Sequence, residues 1–112
     1  MDMRYYQRKT GETAFYPRDA KTALCYLSLG LCGESGEVAE KLKKIIRDSD
    51  SEMELSAEQK QNIAKELGDV LWYVAQLSGQ LGFDLGEIAE MNLQKLRDRQ
   101  SRNRLSGDGD NR

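Results

Sequence analysis

The sequence predicts an all-α helical bundle, and three observations carry that prediction. Apolar residues recur every three or four positions through three long stretches, no stretch alternates with period two, and the only proline, Pro17, precedes all three. At 112 residues the chain has the length of one domain. Residues 1–104 are expected to form that domain and residues 105–112 a polar tail.

The first segment, Arg4 to Arg18, mixes aromatics (Tyr5, Tyr6, Phe15, Tyr16) with the turn residues Thr10 and Gly11. It reads as a short helix followed by an extended arm. Asp19 is a suitable N-cap for a long helix running to about Arg47, with Leu24, Leu27, Leu31, Val38 and Leu42 on its apolar side. Asp48 to Leu55 is polar and aperiodic, a loop. Ser56 with Gln59 three residues later has the form of a capping box and opens a second helix, whose stripe is Ile63, Leu67, Val70, Leu71, Val74, Leu77 and Leu81. Gly82 is placed to end it. Asp84 and Glu87 open a third helix with Leu85, Ile88, Met91 and Leu96 on its inner face. Such broad stripes on so short a chain predict a homodimer or homotetramer.

Charge excludes several partners. Charged residues make up 32% of the chain yet leave a formal net charge of −2, so no basic field attracts a nucleic-acid polymer or an anionic membrane. No apolar run approaches the roughly 20 residues that span a bilayer, and Met1 to Lys9 lacks the apolar centre of a secretory signal; a cytoplasmic protein is expected. Cys25 and Cys32, two helical turns apart, are read as reduced core thiols. Histidine is absent, which removes the commonest general base, the usual zinc ligand and histidine-activated nucleophiles.

The remaining chemistry is carboxylate chemistry. Glu34 and Glu37 lie three apart on the first long helix, about 60° around its axis and about 4.5 Å along it, so both reach one point. Glu66 and Asp69 repeat the spacing on the second helix, among Leu67, Val70 and Leu71. Unpaired carboxylates beside a core are costly, and two facing pairs repel, unless a cation compensates. Four oxygen donors without histidine or thiolate describe a hard site for Mg²⁺ or Mn²⁺; a ferritin-like di-iron site would need Glu-x-x-His. Gly30, Gly33 and Gly36 recur beside the first pair at a cost of roughly 1 kcal/mol each relative to alanine. Close helix packing and close approach of a ligand both account for them.

With its two acidic pairs in GLCGESGEVAEKLKKIIRD and KELGDVLWYVAQL, 28 residues apart (66 − 37 − 1), the sequence resembles the MazG-like all-α nucleoside triphosphate pyrophosphohydrolases. TAFYP, NLQKLRDR and GDGDNR extend the similarity over nearly the whole chain. Many members carry a further acidic residue where this sequence has Gly33. The resemblance implies a MazG-like bundle and Mg²⁺-dependent hydrolysis of a nucleoside triphosphate, often a deoxynucleotide, to monophosphate and pyrophosphate. Glu34, Glu37, Glu66 and Asp69 would be metal ligands, with Glu37 and Glu66 catalytic and Glu37 taking the proton of water. Asn92 and Lys95 match nucleotide-contacting positions. Trp72 is either a base-stacking or a core aromatic, and Lys41, Lys43 and Lys44 either phosphate contacts or a solvated face. Arg104, Asp108, Asp110 and Arg112 either fold over a neighbouring site or form a plain tail. The rival functions are a phosphoribosyl-ATP pyrophosphatase and a non-catalytic, metal-binding helical dimer.

Overall fold

Side-chain caps set the helix starts. In the computed structural model, which describes residues 1–49 and 54–102, Asp2 accepts from the Tyr5 amide at 2.8 Å and starts α1 (Met3–Thr10). Asp19 accepts from the Thr22 amide at 3.2 Å and starts α2 (Ala20–Asp48). Ser56 and Gln59 exchange side-chain and backbone hydrogen bonds at 2.9 and 3.1 Å, the reciprocal box that opens α3 (Ala57–Gln80). Glu87 accepts from the Asp84 amide at 3.3 Å at the head of α4 (Leu85–Ser101). A 3₁₀ turn at Gly11–Thr13 follows α1, and no strand occurs among the described residues. The all-α class stands. The tail, with Arg104, Asp108, Asp110 and Arg112, and residues 50–53 of the expected loop lie outside the described residues.

The end of α3 is a glycine cap. Gly82 has φ +86°, a conformation that costs a residue with a Cβ, and it lets the Phe83 amide donate to Ser78 O at 2.9 Å and its own amide to Gly79 O at 3.0 Å. The chain thereby turns at once into α4.

Helices α2 and α3 pair antiparallel, since Gly30 lies on Tyr73 while Lys41 reaches Glu66. The seam takes Ala23, Leu27, Leu31, Val38 and Leu42 from α2 and Ile63, Val70, Val74, Ala75 and Leu77 from α3. Leu27 and Ala75 are wholly buried. Gln7 locks α1 across the far end: its Nε2 donates to Ala75 O and Phe83 O, both at 3.1 Å, and its Oε1 accepts from the Leu85 amide at 2.8 Å. One side chain thus satisfies an orphan donor of α4 and an accepting carbonyl of α3.

Three sequence expectations change here. Cys25 and Cys32 are free but exposed, because on α2 they fall between the seam rows and face away from α3. Of the apolar residues expected on the inner face of α4, Leu85 is buried and Ile88 half-buried, whereas Met91 and Leu96 face outward, since the start of α4 packs against α1 and the end of α3. On α3, Leu67 and Leu71 lie on the open side of the stripe.

The glycines separate as well. A Cβ at Gly30 would overlap the Tyr73 ring, whereas Cβ atoms at Gly33 and Gly36 would enter open space. Gly30→Ala is therefore expected to destabilise the chain by about 1–3 kcal/mol through overpacking. Gly33→Ala should leave it unchanged or raise stability by up to about 1 kcal/mol through helix propensity. Thermal melts of the two variants beside the wild type check the contrast, and equal losses would contradict it.

Candidate functional site

The antiparallel seam brings acidic side chains from two helices to one place. Glu34 continues the seam row of α2 and Glu66 that of α3, while Asp69 stands one turn beyond Glu66 at the edge. One carboxylate oxygen from each lies within 4.8 Å of the others. Glu37 is exposed and outside this group of three, though its charge is felt by Glu34. Burial, followed by the charges of Asp69, Glu66 and Glu37 and a hydrogen bond with Glu66, pushes the Glu34 carboxyl above its ordinary range. Lys41 Nζ, 3.5 Å from Glu66 Oε1, lies across the seam and offsets part of this charge. Lys43 and Lys44 instead pair with Glu40 at 2.9 and 3.7 Å on the solvated face. Three converging oxygen donors that repel one another could hold a hard divalent cation.

Next to the acids is a cleft of about 400 Å³ with Glu34 and Asp69 on its wall. Its other walls are aromatic: Phe15 and Tyr16 from the arm, Tyr26 from α2, Trp72 and Tyr73 from α3. Five of the chain's eight aromatic residues are therefore concentrated here. Tyr16 and Tyr26 stack at 5.3 Å with 15° between planes, and Trp72 meets Tyr73 edge-on at 4.9 Å. Trp72 Nε1 donates to Thr13 Oγ1 at 2.8 Å, which fixes the indole. Burial, then Tyr26 and the charges of Glu34 and Asp69, push the Tyr73 hydroxyl up. Burial and then Asp69 do the same to Tyr6.

The structure thus places Trp72 in the cleft wall, half-buried and available on part of its surface. Asn92 and Lys95 sit on α4, exposed and half-buried respectively, and line no part of this cleft. The sequence reading did not identify Thr13, Phe15, Tyr16, Tyr26 and Tyr73. A helical signal existed for two of them: Tyr73 stands four residues after Asp69, and Tyr26 eight before Glu34, each near the face of its acid. The arm residues carry no such signal.

The family model of the MazG nucleotide pyrophosphohydrolase domain matches residues 24–103, which include all four acids. The chain belongs to the MazG nucleotide pyrophosphohydrolase family. A Mycobacterium phage L5 protein named Gene 37 protein is 43% identical over 116 residues, covering 100% of both chains. The Bacillus subtilis (strain 168) protein named Uncharacterized protein YvdC is 33% identical over 98 residues, 84% of this chain and 85% of that one. No solved structure matches. The MazG match starts inside α2, so the aromatic arm precedes it.

The raised Glu34 carboxyl has a measurable consequence. Its proton is held more tightly in the folded chain than in the unfolded one, so its contribution to stability is full below the ordinary glutamate pKa and is lost as pH rises through the raised value. In chelator, the melting temperature of Glu34→Gln should therefore gain on the wild type as pH climbs from about 4.5 to 7. Millimolar Mg²⁺ should shrink that difference by stabilising the wild type. A difference independent of both pH and Mg²⁺ would show that the acids do not repel as described.

Proposed function

We propose that this chain hydrolyses nucleoside triphosphates, deoxynucleotides foremost, between the α and β phosphates, giving monophosphate and pyrophosphate, with Mg²⁺ (or Mn²⁺) as cofactor. The observation that carries this reading is one cleft that joins convergent carboxylates to five aromatic side chains. A nucleotide needs both: a cation site for its phosphates and π-faces for its base.

Glu34, Glu66 and Asp69 would hold the ion, with Glu37 at its edge. When bound, the ion offsets charge on the phosphate oxygens and lowers the pKa of a nearby water. Glu37, whose oxygens are outside the convergent group, is the acid left to accept the proton of the attacking water. Tyr16, Tyr26, Trp72 and Tyr73 hold the base and keep water from that end of the cleft. Lys41, the one lysine of its cluster turned toward the acids, supplies a point charge to a phosphate oxygen when Glu66 is engaged elsewhere.

The same proposal includes a second copy of the chain. Leu29 (74% exposed), Leu67 (53%) and Met91 (55%) leave apolar surface on α2, α3 and α4 for it to cover. Asn92 and Lys95 share α4 with Met91 and Leu93, and would reach a nucleotide from the neighbouring copy. No helix among the described residues is long and apolar enough to cross a membrane, and the reading places the reaction in the cytoplasm.

Pyrophosphate release from a panel of ribo- and deoxyribonucleoside triphosphates tests the activity. Wild type with Mg²⁺ should release pyrophosphate and monophosphate in equal amounts. EDTA should silence it, and Glu66→Gln should lower kcat at least 100-fold, on the order of other losses of transition-state charge stabilisation, with helicity retained. Full activity in that variant or in EDTA would sink the metal mechanism. Turnover of phosphoribosyl-ATP alone would move the chain to that reaction, and turnover of neither substrate class would leave a binding protein. Sedimentation tests the second copy: the wild type should run as a dimer or tetramer and Leu29→Glu as a smaller species, whereas a wild-type monomer would refute the assembly.

A further inference from the structure

A second cleft, of about 480 Å³, lies on the far side of Tyr16, between α1, the arm and the C-terminal half of α3. Three arginines line it, Arg4, Arg8 and Arg18, and its one carboxylate is Asp84. Its formal charge is therefore +2 (three minus one), in a chain whose net charge is −2.

One of the three arginines is ion-paired within the cleft, and the other two have no carboxylate partner among the described residues. Arg4 pairs with Asp84 at 3.2 Å. The Arg8 side chain has no carboxylate partner and no hydrogen bond among the described residues; its guanidinium lies 5.4 Å from the Tyr5 ring centroid. Among the described residues, Arg18 is held by neutral groups only. It sits 4.4 Å over the Tyr16 ring, donates to Tyr16 Oη at 3.0 Å and donates to Ala14 O at 3.1 Å. Tyr16 in turn donates to Gln76 at 2.6 Å, and Gln76 donates to buried Thr10 at 2.7 Å. This chain of hydrogen bonds fixes the guanidinium before any ligand arrives, and three of its five N–H groups are not engaged by the described residues. A rigid guanidinium fork, a second unpaired arginine and a concave wall are what recognition of a phosphate group requires.

We propose that this cleft binds a phosphate-bearing small molecule, separately from the acidic cleft and without a metal ion. All three arginines precede residue 24, where the family match begins, while the opposite wall, Ala75 to Asp84, lies within it. The inference does not depend on the reaction proposed above. In chelator the carboxylate cluster repels anions, so binding measured there reports the arginine cleft alone.

The test is calorimetric titration of the full chain in EDTA with inorganic phosphate, with pyrophosphate and with a nucleoside monophosphate. Saturable binding of at least one of them at millimolar concentration or below is expected, weakened by salt. Tighter binding of the monophosphate than of phosphate would name a nucleotide as the source, and equal binding the free anion. Arg18→Gln should raise Kd about tenfold, the scale of lost charge-assisted hydrogen bonds. Arg8→Gln, which removes no hydrogen bond of the fold, should raise it severalfold, and Glu66→Gln should leave it unchanged. Three outcomes would overturn the proposal: no saturable binding of any of the three, affinity unmoved by both arginine variants, or an equal loss in Glu66→Gln.

Discussion

Glu34 and Glu66 occupy positions that helical periodicity assigns to the interior of the α2–α3 seam. Glu34 continues the row Ala23, Leu27, Leu31, and Glu66 falls between Ile63 and Val70. Leucines there would zip the two helices together; carboxylates force the seam to remain open to solvent and cations at that level. With Asp69 added, three oxygens converge, and the electrostatic strain is visible in the raised Glu34 carboxyl. Lys41 relieves part of it from two turns farther along α2. The two helices therefore pack by their apolar residues above and below a charged band, where the reaction proposed above would take place.

A seam interrupted in this way needs support from elsewhere, and the structure supplies it away from the acids. Caps define the starts of the helices, the Gly82 cap turns α3 into α4, and Gln7 ties α1, α3 and α4 through three hydrogen bonds at the end remote from Lys41. Tyr73 fills the space that Gly30 leaves, locking the helices one turn of α2 from Glu34. Few side chains are wholly covered, with Leu27 the largest of them. A chain with so much apolar surface left outside is marginal by itself, which is the physical reason for expecting another copy against α2, α3 and α4.

Much of this was legible in the sequence because it is local. The boundaries of α2, α3 and α4 followed from Asp19, Ser56 with Gln59, Gly82 and Asp84, residues that act on their own helix ends. The i, i+3 spacing puts Glu66 and Asp69 near one face of α3, and their carboxylates meet Glu34; Glu37, with the same spacing on α2, is exposed and outside that group. What depended on the angular position of one helix against another was not legible. Cys25 and Cys32 were assigned to a core that lies on the other side of α2. Met91 and Leu96 were assigned an inner face that the described residues do not cover. The reading of Gly30, Gly33 and Gly36 as one group failed because only Gly30 faces a neighbour. Phe15 and Tyr16 were unplaceable, since an extended arm has no period and its docking on α3 is fixed by tertiary hydrogen bonds such as Tyr16 to Gln76.

That arm has the larger role in shaping the molecule's surface. Along one face of α3, Asp69, Trp72 and Tyr73 border an acidic cleft, and Gln76, Gly79 and Gln80, two turns on, border a basic one. Tyr16 lines both and is the partition between them. Its ring stacks on Tyr26 and carries Arg18, while its hydroxyl joins Arg18 to Gln76. Without the arm, α3 would present carboxylates and glutamines on one continuous solvated groove. With it, the groove is divided into two compartments of opposite charge, one suited to a cation and an aromatic base, the other to an anion. The division is made by residues 14–18, which have no helical structure of their own, and so the arm governs the chemical character of both clefts.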